Sequence, residues 1–442
     1  MNLKLKYVIP LIISFSCIVA QDPIVNLAQG RIVGTKVYTD KSLIPIEIYY
    51  GIPYATPPIG RYRFSPADGK PLPVLVILYS ESWIRGGVSL PCQDLAAEDM
   101  VVVTVGYRLH LLGFFTLESI SARGNLALLD QYLAFLWIRD NIGAFGGDSN
   151  AITVLGHSAG ADSVLHHLIS PRSKGLFQRA VIMSPIDIWK LIDEHRDSDA
   201  IKADHTSREV ALSLGCTSKL DLEILNCMRT RPLSDILSVY SVNTYLPVRE
   251  PKTYLISISD SCFKFQSKNW SKSLQPVPEK YLPESEQYLP TSLLAALSSK
   301  TQNVMQVDLL LGTTDLDALN YNDETFSELL KHNASYVSDY VSSKAIPELL
   351  RMFSLYRPEV LPMLIRAIRW EYWDVNIINT GSNDEAIEQL ARMETSARWG
   401  AGMALLAARL ARHVARLFVY RYSFPSTIDL EGRRLNHTGK CS

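Results

Sequence analysis

Gly156-His157-Ser158-Ala159-Gly160 stands where one periodicity gives way to another. The residues before it, Ala151-Ile152-Thr153-Val154-Leu155, are short, apolar and β-branched, the pattern of a buried strand. The residues after it, Ala161 to Ile169, mix apolar and small polar side chains at helical spacing. A G-x-S-x-G motif between a strand and a helix predicts a sharp turn that holds its serine in a strained conformation, hydroxyl exposed at the carboxyl end of a parallel sheet. The small neighbours make room for the bend and for a substrate carbonyl. Ser158 is therefore the candidate nucleophile; a structural serine in a tight turn is the plainer alternative.

The surrounding text extends this reading. Upstream lies Tyr50-Gly51-Ile52-Pro53-Tyr54-Ala55-Thr56-Pro57-Pro58-Ile59-Gly60-Arg61-Tyr62-Arg63-Phe64, then Tyr107-Arg108-Leu109, Leu112-Gly113-Phe114, Gly124-Asn125 and Leu129-Asp130-Gln131. Trp137, Asn141-Ile142 and Phe145-Gly146-Gly147-Asp148 lead into the motif, and Ser170-Pro171 with Gly175-Leu176-Phe177-Gln178-Arg179-Ala180 follow it. In order and spacing this run resembles the carboxylesterase type-B (cholinesterase-like) family, over nearly the whole chain and more thinly after Glu250. The resemblance implies an α/β-hydrolase fold: a central, mostly parallel twisted sheet with helices on both faces. It also implies ester-hydrolysing ancestry, no cofactor and a Ser–acid–His triad. Two departures stand out. Between Phe64 and Pro71 only Ser65 to Lys70 remain where the family carries a disulfide loop and a strand, and the text stops at Ser442 where the family continues. The expected domain is thus shortened, lacking a strand and C-terminal helices.

With 44 Lys+Arg against 45 Asp+Glu, the net charge of -1 gives no electrostatic case for nucleic acid. Lys4 and Lys6, the apolar run Tyr7 to Val19 and small Ala20 read as a secretory signal, leaving residues 21–442 as the hydrolase domain. The apolar stretch Leu405 to Phe418 is broken by Arg409, Arg412 and Arg416, so no transmembrane segment is expected there. Export agrees with the sequons at Asn269, Asn333 and Asn436 as glycosylation sites. It agrees also with the cysteines. Cys17 goes with the signal; Cys216 and Cys227 bracket a short loop where family members carry a small disulfide, and Cys92, Cys262 and Cys441 have no assigned partner. No C-x-x-C or His/Cys cluster suggests a metal.

Val74 to Leu78 and Val101 to Val105 read as buried parallel strands, Asn125 to Asn141 as a crossover helix and Ala180 to Met183 as the strand after the motif's helix. From Ile192 to about Glu250 the pattern is helical and polar, and Asn243 to Leu282 reads as a long irregular loop. Leu309 to Gly312 reads as a strand, Glu385 to His413 as one helix and Leu417 to Tyr422 as a strand.

Ester hydrolysis needs a nucleophile, a base, an acid to orient that base, and an oxyanion hole. In Gly312-Thr313-Thr314-Asp315-Leu316-Asp317-Ala318 the family pattern puts Asp317 on the acid position, one methylene shorter than the family's glutamate, with Asp315 as rival. The order Ser, acid, His requires a base after Asp317, so His332, His413 and His437 are the candidates within this text. His437 follows the Leu417–Tyr422 strand, roughly where the family places its base, although it also sits inside a sequon. For the oxyanion, active relatives carry His-Gly-Gly-Gly after the strand that here is Val74 to Leu78; this chain has Tyr79-Ser80-Glu81-Ser82-Trp83. Ser80 and Glu81 would be strained in a loop built for glycine, and only the Ala159 N–H is retained. Two functions follow. One is a secreted esterase of weak or lost turnover acting on a small carboxylic ester; the other is a non-catalytic cholinesterase-like adhesion protein, similar to neurotactin, glutactin and the neuroligins, with a cell-surface protein as partner.

Overall fold

The structure is a computed structural model that describes residues 23–27, 30–38, 45–49, 71–81, 83–87, 90, 92–192, 203–238, 274–299, 304–319, 324–353, 355–373 and 383–423. The signal-like segment, Tyr50 to Phe64, His437, and the sequons at Asn269 and Asn436 lie outside these residues, as do Cys262 and Cys441.

The chain divides into two compact units at residue 67. The first contains two antiparallel pairs. Strand β1 (Ile24–Leu27) pairs with β2 (Gly30–Val33), and β3 (Thr35–Tyr38) with β4 (Pro45–Ile48).

The second unit is built on one sheet. Its strands are β5 (Leu72–Glu81), the two-residue β6 (Arg85–Gly86), β7 (Val101–Val105), β8 (Gly147–Ser158), β9 (Arg179–Met183), β10 (Asp308–Thr314) and β11 (Arg416–Tyr422). Six of them run parallel in the order β7-β5-β8-β9-β10-β11, and β6 adds a short antiparallel edge to the end of β5. Parallel strands covered on both faces are apolar throughout, and Val74, Val76, Leu78, Ile152, Val154, Ile182, Leu309 and Leu311 are all buried. The chain moves from β5 outward to β7, then returns to place β8 on the other flank of β5. That reversal opens a crevice at the carboxyl ends of β5 and β8, where open α/β sheets bind ligands. At those ends Ser80 on β5 and Ser158 on β8 are side-by-side register partners in the sheet.

Helices pack around this sheet. In Leu126–Asn141 the buried positions Ala127, Leu128, Gln131, Ala134, Phe135, Ile138 and Asn141 follow helical spacing and form the face laid on the core. The helix after the motif, Ala159–Ile169, is buried along its whole length, so its residues are small or apolar with a few bonded polar groups. Beyond β9 come the helices Ala203–Ser213, Asp221–Thr230 and Leu233–Ser238, and between β10 and β11 a helical subassembly whose core includes Val337, Val341, Ile346, Leu349, Ile387 and Leu390. Among the described residues no helix is long and apolar enough to cross a membrane.

Two expectations change. The single helix expected over 385–413 runs from Asn383 with a π-turn at Ser396–Gly400 inside it, and it ends earlier, at Leu410. The strand expected to stop at Leu78 continues through Ser80 and Glu81, because Arg85–Gly86 folds back and pairs with it.

Candidate active site

The elbow is built by close approach. A Cβ on Gly156 would lie 2.2 Å from the carbonyl oxygen of Gly160, and one on Gly160 would lie 2.0 Å from that of Leu78 in β5. Glycine at both positions lets strand, turn and helix collapse onto each other. The strain falls on the serine between them: Ser158 has φ 57 and ψ -127, a region costly for any residue with a side chain. It is buried, at the carboxyl end of β8 and at the amino end of the following helix. Ala159 is the first helical residue, and an N–H in that position has no acceptor inside its own helix. It lies beside the nucleophile, within reach of an oxyanion.

Asp317 occupies the corresponding level after β10. Its carboxylate is buried and accepts from Ser184 Oγ at 2.9 and 2.8 Å, from Thr314 N at 3.1 Å and from Thr314 Oγ1 at 2.9 Å. Ser184 follows β9, the strand between β8 and β10, and like Ser158 it has a positive φ, here 47. Tyr420 on β11 lies near enough that burial, helped by the Asp317 charge, pushes its phenol up to about 12. Asp315 sits differently: it pairs with the exposed Arg421. The geometry therefore separates the two aspartates that sequence left open. β9 lies between β8, which ends in Ser158, and β10, which precedes Asp317.

No described histidine bonds to Ser158. His332 lies beside Glu328 and stacks on Tyr336, and His413 Nε2 meets the carbonyl of Leu297 at 3.0 Å. His157, adjacent to the nucleophile, stacks on Tyr79 with ring planes 9° apart. His167 is locked between Gln131 and Tyr288. His437 is outside the described residues, so the base is not placed.

The oxyanion segment corrects the expectation of a strained loop. Ser80 and Glu81 are extended strand residues, paired with Gly86 and Arg85, and neither has a positive φ. The physical reason is the side chains. Glycines would let the chain leave the sheet after Leu78, whereas here Ser80 Oγ accepts a bond from the Tyr107 hydroxyl at 2.8 Å and β6 zips up the far edge. The positive φ, 62, falls on Trp83 instead. Its indole is buried, stands edge-on to Phe114 at 5.2 Å and donates from Nε1 to Asp187 at 3.0 Å. Trp83 packs in the same core cluster as Ala159.

Sequence reasoning missed Ser184, Thr314 and Tyr107. Ser184 had one usable signal, a hydroxyl residue directly after a parallel strand. Thr314 and Tyr107 matter through contacts across more than one element, and no local pattern announces those. The expected disulfide Cys216–Cys227 is formed, with Cα atoms 5.7 Å apart, and Cys92 is buried. Among the described residues no cluster of metal-type ligands occurs.

The sequence profile that matches is that of the Carboxylesterase family, over residues 21–71 and 67–437. Similar proteins include an acetylcholinesterase of Gallus gallus, 33% identical over 279 residues, covering 49% of this chain and 36% of the relative. A carboxylesterase 5A of Felis catus is 30% identical over 296 residues, 52% of this chain and 53% of the relative. A liver carboxylesterase of Sus scrofa is 26% identical over 337 residues, 60% and 56% respectively. The chain thus aligns with about a third to a little over half of the length of each of these relatives.

Proposed function

The chain belongs to the carboxylesterase family, and from that premise we propose that it is a secreted carboxylic-ester hydrolase of weak turnover, with Ser158 as nucleophile, Asp317 as orienting acid and His437 as base. The observation that carries the reading is the strained elbow: φ 57 at Ser158 between two glycines that neighbouring backbone leaves no room to replace. In the reaction Ser158 Oγ attacks the acyl carbon and gives its proton to the base. The alcohol leaves with that proton, and water repeats the cycle on the acyl-enzyme. The developing oxyanion receives the Ala159 N–H. The donors that a glycine loop would add are absent from Ser80 and Glu81, which are held in the sheet. Loss of one such donor costs on the order of 10² to 10³ in rate. Weak turnover follows.

Secretion and glycosylation belong to the same proposal and rest on the signal-like residues 1–20 and the sequons. The relatives' named activities, acetylcholinesterase and carboxylesterase, point to a small carboxylic ester as the substrate class. The test is hydrolysis of an activated ester by the secreted protein beside a Ser158→Ala control. A slow rate that the control abolishes supports the reading, and an equal rate in both contradicts it. The extension of β5 through Glu81 also favours a second reading, a cholinesterase-like adhesion protein whose crevice does no chemistry. In that case the secreted chain binds a cell-surface protein saturably, and Ser158→Ala binds equally well.

A further inference from the structure

The last strand of the sheet, β11, has one side on β10 and, among the described residues, no strand on the other. Its residues Arg416-Leu417-Phe418-Val419-Tyr420-Arg421-Tyr422 pair with β10 in unbroken register and include no proline. The Tyr422 carbonyl accepts from Asp315 N at 3.0 Å, so Tyr422 points its peptide groups at β10. Peptide groups alternate in direction along a strand. Leu417, Val419 and Arg421 therefore turn their N–H and C=O groups to the outer edge. The side chains leave this edge open as well. Phe418 and Val419, which project from opposite faces of the sheet, are 53% and 60% exposed.

Edge strands that stay single are guarded by free charges, prolines, bulges or short length. β11 has none of these guards. It carries two cations, and both are engaged by carboxylates on the β10 side. Arg416 bonds Asp308 at 2.8 and 2.5 Å and lies 6.0 Å from the centre of the Phe418 ring, and Arg421 bonds Asp315. Tyr420 also turns toward β10. Its ring fills the place of the side chain that Gly312 lacks, since a Cβ on Gly312 would lie 2.1 Å from it. The outer edge is left to Leu417, Phe418 and Val419.

We propose that β11 pairs antiparallel with β11 of a second copy of this chain, about a two-fold axis at Val419, so that two sheets join into one. The strand is self-complementary about that centre. Phe418 of one copy lies opposite Tyr420 of the other, Arg416 opposite Tyr422, and Leu417 opposite Arg421. Aromatic meets aromatic, one cation meets a ring, the other meets an aliphatic side chain, and no like charges stand opposite. This register uses the whole strand. Its outward peptide groups face one another, and the two residues of each such pair exchange both of their N–H···O bonds. A strand of unrelated sequence would gain the backbone bonds alone; the match of side chains is what selects a second copy. The axis stands perpendicular to the sheet, so the two Ser158 elbows open in opposite directions.

The experiment uses the full chain. Sedimentation over a wide range of protein concentration should show a monomer–dimer equilibrium. Val419→Pro removes an N–H that faces away from β10, a place where an edge strand tolerates proline, so the thermal midpoint should hold. Its dimer should be weaker by about tenfold or more, because the central pair loses both of its N–H donors. Cysteine variants read the register. Val419→Cys, treated with diamide as oxidant, should give a dimer that peptide mapping shows to be linked through residue 419. Hydrogen-bonded partners have Cα atoms about 5.5 Å apart, within reach of a disulfide. Leu417→Cys should not link to itself, but should link to Arg421→Cys when the two variants are mixed. A chain that stays monomeric at every concentration overturns the proposal, and means that the edge is covered within one chain or by a different protein. A dimer that Val419→Pro leaves at wild-type strength overturns it too. So does a Leu417→Cys chain that links to itself as readily as Val419→Cys. If Val419→Pro does not fold, the cysteine variants alone decide.

Discussion

Ser158 owes its conformation to its neighbours' lack of side chains. Gly160→Ala would drive a methyl into the Leu78 carbonyl in the middle of the sheet, where backbone cannot yield cheaply. Overpacking of that kind costs typically 1–3 kcal/mol, so a drop of that size in denaturant unfolding is expected, with loss of elbow reactivity. An unchanged midpoint would mean the strand and helix are not in the contact described. The two aspartates of the β10 loop divide just as sharply. Asp317→Ala leaves the buried Ser184 hydroxyl and the Thr314 N–H without their acceptor, a loss of about 1–3 kcal/mol. Asp315→Ala removes only a pairing to an exposed arginine and should change stability by less than about 1 kcal/mol. Equal costs would contradict the assignment of Asp317 as the buried acid. His167 adds a pH dependence. Its folded pKa is near 3 and its ordinary value is 6.5, so between those values the unfolded chain takes up a proton that the folded chain refuses. Its contribution is fully present above about pH 6.5 and is lost as pH falls toward 3, by at most about 1.4 kcal/mol per pH unit. His167→Gln should therefore lose stability less steeply than the wild-type chain on acidification from pH 6.5 to 4; parallel slopes would show that His167 is charged in the fold.

At the scale of elements, the sheet holds up where periodicity was strong. The β7 strand and the helix Leu126–Asn141 lie within a residue of where the apolar pattern puts them, and the motif's strand and helix are both present, the strand longer than its apolar run at both ends and the helix longer at its start. The end of β5 was not legible. Tyr79-Ser80-Glu81 has no strong strand pattern, and what extends it is pairing with β6 and a hydroxyl bond from Tyr107, both supplied by residues well outside any local window. Ser158 was legible because its chemistry requires a short fixed motif. Ser184 and Thr314 were not, because their role arises only once β9 and β10 lie side by side. The disulfide was read through family resemblance, and it ties the start of the loop to the helix Asp221–Thr230. Cys216 is buried in the cluster that contains Trp83 and Ala159, so the loop is anchored to the elbow side of the molecule. Closing a loop of this length is worth about 3 kcal/mol in the chain-entropy account. Non-reducing peptide mapping should recover Cys216 and Cys227 in one linked species, and alkylation of either as a thiol in exported protein would contradict the pairing.

At the scale of the whole molecule, the parallel sheet, the reversal of strand order between β7 and β8 and the serine at that reversal agree with membership of the carboxylesterase family. Export adds a separate expectation. Asn333 is exposed and caps the helix Ala334–Tyr340 by accepting from Tyr336 N through Oδ1 at 3.0 Å. A glycan attaches to the other atom, Nδ2, so cap and sugar are compatible. Asn333→Gln in exported protein should lose the mass of one glycan while the rest of the glycan pattern stays. No change in mass would contradict glycosylation there. The central claim is narrower: Ser158 is an elbow nucleophile whose oxyanion wall is a strand instead of a glycine loop. Fluorophosphonate treatment of the full chain, followed by mass mapping of the labelled peptide over time, tests it most directly. Slow labelling confined to Ser158 is the result the account predicts; rapid stoichiometric labelling of Ser158, or labelling at another serine, would contradict it.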